Sequence, residues 1–227
     1  MASAVATTGS ADGRGRAVLG VLMAAGVLSS VVYVAADLLC GLQYPGYSFA
    51  DQVISELSAI GAPTTALWAR LLQGYAVLFA AFTAGVVWQS RGLGRLRLTA
   101  WLLVAFVLSG PLWGFVPMHQ RGDAFTWTDA GHIALGGVMV ALITTVIAVS
   151  AGTLGPRFRA FSRSLAVVAG VTGVGTFAYV PRMIEQRPTP GVGLVERVHL
   201  YAFLLWVGVL AVALFRRHGG PDTGVHH

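Results

Sequence analysis

The sequence has no lysine; all fifteen of its basic residues are arginine. It has a single cysteine, Cys40, and charged residues make up only 11% of the chain, against about a quarter in soluble domains. One cysteine excludes an intrachain disulfide, and no Cys/His spacing of the zinc-finger kind occurs. So little charge excludes an ordinary soluble domain. The net charge of +6 does not describe a nucleic-acid surface either, because the arginines sit in short segments between apolar runs. No internal repeat and no domain boundary is visible.

Apolar residues account for 56% of the chain and come in blocks. Six blocks, at 17–38, 65–88, 98–117, 129–150, 162–181 and 194–215, each approach the roughly 20 residues a membrane-spanning helix needs. The expected fold is all-α, a polytopic membrane protein with six transmembrane helices. The expected organisation is a disordered tail over 1–16, rich in Ala, Ser, Thr and Gly, a transmembrane domain over 17–216, and a second tail over 217–227. The first block is longer than a signal-peptide core, and the bulky Leu39 before Cys40 argues against lipoprotein cleavage. It reads as a retained helix.

The arginines divide unevenly between the two ends of the helices. Arg14, Arg16, Arg91, Arg95, Arg97, Arg157, Arg159, Arg163, Arg216 and Arg217 fall on one side; Arg70, Arg121, Arg182, Arg187 and Arg197 fall on the other. Ten against five predicts a multi-pass protein of the cell membrane with both termini cytoplasmic. Asp37, Asp51, Glu56, Asp123, Asp129, Glu185 and Glu196 lie at the outer ends, with His119, His132 and His199. The chemistry is therefore concentrated on the outer face.

The first outer loop predicts a short interfacial helix. Ser48 and Asp51 frame a capping box, and Gly61 with Pro63 marks a stop. Phe49, Val53, Leu57 and Ile60 share one side of it, and Asp51, Ser55 and Ser58 another. Glu56 reads either as a solvated residue of that helix or as a second acid. Tyr44, Tyr47, Trp68, Trp113 and Trp127 fit an aromatic belt. Gly110-Pro111 predicts a kink in the third span, and Gly170, Gly173 and Gly175 predict close approach of neighbours to the fifth.

Two helix openings repeat an acid-x-x-His device, Asp129…His132 and Glu196…His199. The i, i+3 spacing puts acid and imidazole on one helical face. Ionisable groups at the edge of hydrocarbon are costly and suggest function. Paired Glu-x-x-His elements on facing helices also hold metals in some bundles. The expected site joins Asp129, His132, Glu196 and His199 with Asp37 and Glu56, with His132 and His199 as candidate ligands of one divalent metal. The competing reading is structural. Thr128 is a natural N-cap, an acid in a first turn stabilises any helix, and Glu196 has Arg197 beside it.

Several of these segments resemble a known family. Pro45-Gly46-Tyr47-Ser48, the run from Asp51 to Ser58 with Gly61-Ala62-Pro63, the exit Gly114-Phe115-Val116-Pro117, Gly131-His132 and Glu196-Arg197 are similar to the bacterial membrane family catalogued as domain of unknown function 998. Met118-His119 stands where that family would carry an aspartate shortly after Pro117. The resemblance implies six helices and these outer-face motifs; it implies no reaction and no substrate.

Two classes of function fit these residues. One is an enzyme acting on a lipid or isoprenoid, by proton-initiated cyclisation or by metal-assisted hydrolysis. The other is a non-catalytic protein that binds a hydrophobic small molecule, senses, or assists assembly. The partners expected are the bilayer and such a ligand, with no nucleic acid. A transporter fits less well, because no repeat and no deep mid-span charge is present.

Overall fold

The computed structural model describes residues 3–91 and 94–219. Its helices are α1 (Ser3–Gln43), α2 (Thr65–Gln89), α3 (Gly94–Ser109), α4 (Trp127–Ser150), α5 (Pro156–Phe177), α6 (Val180–Ile184) and α7 (Val192–Gly219), with 3-10 turns at Ile54–Ser58 and Gly110–Phe115. Among the described residues there is no strand. Six segments are long and apolar enough to cross a membrane: Gly13–Gln43, Thr65–Gln89, Gly94–Phe115, Trp127–Ser150, Pro156–Ile184 and Val192–Arg217. The protein is a polytopic, all-helical membrane protein in a lipid bilayer, where only helices or closed barrels satisfy their own backbone groups.

Each span packs on two neighbours in the order α1, α2, α3, α4, α5, α7, and α7 closes the ring on α1. The α7 helix is the most enclosed, with Phe203, Trp206, Val207, Leu210 and Leu214 buried. Phe79, Phe106 and Phe203 meet with centroids 5.0–5.9 Å apart, and Phe203 stacks on Trp206 at 5.9 Å. The middle of the ring is thus filled with aromatic rings. Leu108, Val77, Val21 and Val171 point outward, as lipid-facing residues should.

Several expected elements take a different form. The segment from Ser3, expected as a disordered tail, continues α1 as helix. With three glycines to three alanines it has no strong helix propensity of its own, but extending an existing helix avoids the cost of nucleation. The tail expected at 217–227 lies mostly outside the described residues. Gly110-Pro111 ends α3 and converts the rest of the span to a 3-10 turn, because Pro111 has no N–H for the α-helical ladder. Gly173 meets the expectation of close packing: a Cβ there would lie 2.6 Å from Val140 and 2.7 Å from His199.

The loop between α1 and α2 differs most. Only Ile54–Ser58 is helical, and Val53, Ile54 and Leu57 are buried while Ile60 is exposed. Ile54 and Leu57 pack with Cys40 against Tyr33, Trp68, Leu71 and Leu200. The segment plugs the end of the bundle with its apolar residues.

Candidate functional site

The loop is held down by α7 and α1. Gly193 and Leu194 donate their N–H groups to the Ala50 carbonyl at 2.9 and 3.2 Å. Gly191 N–H donates to Asp51 Oδ1 at 2.9 Å, and the Thr189 hydroxyl to the Asp51 carbonyl at 2.9 Å. Beneath these contacts lies a buried ion pair. Arg197 donates from Nε and Nη2 to the two oxygens of Asp37 at 2.9 and 2.8 Å. Its Nη1 serves the carbonyls of Phe49, Gln52 and Gly193, and its Nη2 also reaches the Tyr47 hydroxyl at 2.7 Å. Tyr201 donates to Asp37 Oδ2 at 2.6 Å. Burial raises the Tyr47 hydroxyl above its ordinary pKa, so it remains a neutral donor, bonded to the Val53 carbonyl at 2.9 Å.

Glu196 and His199, three residues apart, serve separate neighbours. Glu196 accepts from the Ile54 N–H at 2.5 Å. The His199 ring lies with Nδ1 2.8 Å from the Ala169 carbonyl of α5. A carbonyl only accepts, so Nδ1 carries the proton. Asp37 and His199 are buried and Glu196 is half-buried, and each is engaged by a different partner: Arg197 and Tyr201, the Ala169 carbonyl, and the Ile54 N–H.

The other half of the expected site opens onto a cavity of about 310 Å³. Its wall includes Glu56, His119, Arg121, Asp129, His132 and Gln186. Helix α4 begins at Trp127 after the N-cap Thr126, two residues before the expected Thr128. Asp129 turns back over this end and accepts from the Thr126 N–H and hydroxyl, both at 2.8 Å. Its remaining contacts go to His119, not to His132. The His119 backbone N–H donates at 2.8 Å, and its Nδ1 lies 2.9 Å from Oδ2. With Nδ1–H donated to the carboxylate, the neutral ring keeps a free lone pair on Nε2.

His132 is set by a different device. Its Nδ1 lies 2.9 Å from the Val116 carbonyl, and its ring is 4.6 Å from that of Trp113. Gly131 allows this, since a Cβ there would lie 2.7 Å from the Val116 side chain. The Phe115-Val116 exit and the Gly131-His132 opening are thus two sides of one contact, and Nε2 of this cavity-lining histidine is left with its lone pair unused by Val116.

Glu56, expected to be solvated or to serve as a second acid, is buried and bound. Arg121 reaches it in bidentate fashion, Nε to Oε2 at 2.8 Å and Nη2 to Oε1 at 2.7 Å. Gln52 and the Val53 N–H complete its shell at 2.7 and 3.1 Å. The bonds that Arg121 donates to Glu56 raise its pKa above the ordinary value. Gln186 closes the far wall with φ at +55°, a conformation that side-chain-bearing residues seldom adopt. Its amide accepts from the Gly122 N–H at 2.9 Å and donates to the Asp123 carbonyl at 3.2 Å.

The sequence profile of a family described as "Protein of unknown function (DUF998)" matches residues 27–213. The chain belongs to this family. No curated protein and no solved structure matches the chain. The family match takes in Asp37, Glu196, Arg197 and His199 and all of the cavity wall.

Asp129, His132 and Glu56 of the expected site share the cavity, whereas Asp37, Glu196 and His199 do not line it. His132 and His199 bind carbonyls of different segments, and among the described residues no group of three His, Cys, Asp or Glu side chains is placed to hold a metal ion. The sequence placed Tyr47 in an aromatic belt, Arg121 and Arg197 among the topology arginines and His119 at a helix end, and assigned none of them, nor Tyr201 or Gln186, to the site.

Proposed function

We propose that this membrane protein is an acid/base enzyme working at the outer face on the polar end of a lipid or isoprenoid. The observation that carries the reading is the His119–Asp129 dyad, which opens with His132 onto one cavity. Asp129 fixes the tautomer and orientation of His119, so Nε2 can take a proton from water or a substrate hydroxyl. Imidazole serves better than carboxyl as the proton carrier here. Asp129 and Glu56 already accept four bonds each, which leaves neither free to act as the strong acid a cyclisation needs. Met118, Phe125, Ile133 and Met183 supply apolar walls for a chain rising from the bilayer. The outward orientation, with both termini cytoplasmic in the cell membrane, rests on the arginine asymmetry.

A second reading is a non-catalytic binding, sensing or assembly protein with a ligand in the same cavity. It is favoured by the engagement of Asp37, Glu196 and His199 in structural bonds. Incubating the purified protein with a bacterial lipid extract and following mass changes separates the two. The enzyme reading expects a product that His119→Asn no longer makes, since Asn keeps a donor toward Asp129 but lacks Nε2. A lipid that is retained unchanged by wild type and lost by His119→Asn supports the binding protein instead.

A further inference from the structure

At the opposite, arginine-bearing ends of α3, α4 and α5 lies a groove of about 510 Å³. It is lined by Arg95, Arg159 and Arg163, with Leu98, Ala148, Val149, Ala151 and Gly152 forming the rest. Arg159 and Arg163 are four residues apart on α5 and so project from one face. Arg95 comes from α3 and lies against Gly152 at the end of α4, where a Cβ would collide with its guanidinium. No carboxylate lines the groove, and among the described residues none of the three arginines makes an ion pair. Topology signals need only arginines at the helix ends. Three guanidiniums from two helices around one concavity, above an apolar wall, go beyond that.

We infer that this groove binds a phosphate-bearing anionic group, supplied by a lipid headgroup whose chains run down the Leu98–Val149 wall. Guanidinium matches phosphate through paired N–H bonds. A basic pocket between spans at the membrane surface suits an anionic headgroup. Gly152 has a role in this: lacking a side chain, it leaves the space that Arg95 fills.

The test uses the full chain in neutral detergent and follows exposure of the buried Cys40 thiol to a reactive dye on heating. Phosphatidic acid should raise the unfolding temperature, and phosphatidylcholine should not. Replacing Arg95, Arg159 and Arg163 together with Gln should weaken the half-saturating concentration roughly fivefold per arginine, or about a hundredfold in all. Gly152→Val, which keeps every charge but displaces Arg95, should weaken it by the share of one arginine. Arg216→Gln with Arg217→Gln, at the same face but outside the groove, should leave it unchanged. If inorganic phosphate alone protects wild type but not the triple variant, the site holds and its ligand is a soluble phosphate. Equal loss in the Arg216/Arg217 variant, or no protection by either anion, overturns the inference.

Discussion

Asp37→Ala removes the carboxylate from the most enclosed ion pair among the described residues. Arg197 would keep its carbonyl and Tyr47 contacts but lose two N–H···O bonds and its counter-charge, with its side chain only 8% exposed. Leaving one member of a buried pair uncompensated costs about 3–5 kcal/mol. For a chain of this size each kcal/mol shifts the unfolding midpoint by about 2–4 °C, so the expected drop is roughly 6–20 °C. Cys40 is buried one turn further along α1 and is the only thiol, so dye labelling of Cys40 reports the transition without an added probe. Glu185→Ala is the internal control. Its partner Arg187 and Glu185 itself are each 55% exposed, so that pair is worth at most about 1 kcal/mol. A drop under about 2 °C for Asp37→Ala, or an equal drop for both variants, would refute the buried lock.

Other expectations follow from the same geometry. Glu56→Gln should cost about 1–2 kcal/mol, less than Asp37→Ala, because Arg121 is partly solvated and can turn to water. Gly173→Leu should cost about 1–3 kcal/mol by overpacking against Val140 and His199, read by the same Cys40 assay; an unchanged midpoint would contradict the close packing of α5. Diethyl pyrocarbonate should modify His119 and His132 in the folded protein and spare His199, as scored by peptide mass spectrometry. Cysteines replacing the exposed Glu185 and Arg157 should label from outside and inside the cell respectively; labelling of both from one side would reverse the proposed topology.

The bundle was legible because membrane spans are written in composition: each of the six apolar blocks falls on one of the six spans, with α2, α4 and α7 placed within a few residues and α1 and α5 beginning well before their blocks. The cavity was legible in part. Asp129, His132 and Glu56 stood out as ionisable groups at the edge of hydrocarbon, and they do share one wall. Their pairing was not legible, because i, i+3 spacing fixes a helix face and says nothing of what lies opposite. Asp129 bends back to cap its own helix and meets His119 ten residues earlier in a loop without periodicity. Glu196 and His199 share a face, yet one meets the plugged loop and the other meets α5. The Arg197–Asp37 pair spans 160 residues, a distance at which local sequence carries no pairing signal.

On the proposed reading this end of the bundle divides in two, a buried Asp37–Arg197 pair that holds the fold and an open His119–Asp129 dyad that carries the chemistry. The decisive measurement is conversion of a bacterial lipid extract by wild type, His119→Asn and Glu185→Ala, each below its own Cys40 unmasking temperature. His119→Asn should unfold within a few degrees of wild type and form no product, while Glu185→Ala should form it at the wild-type rate. Product formation by His119→Asn at the wild-type rate would contradict that reading.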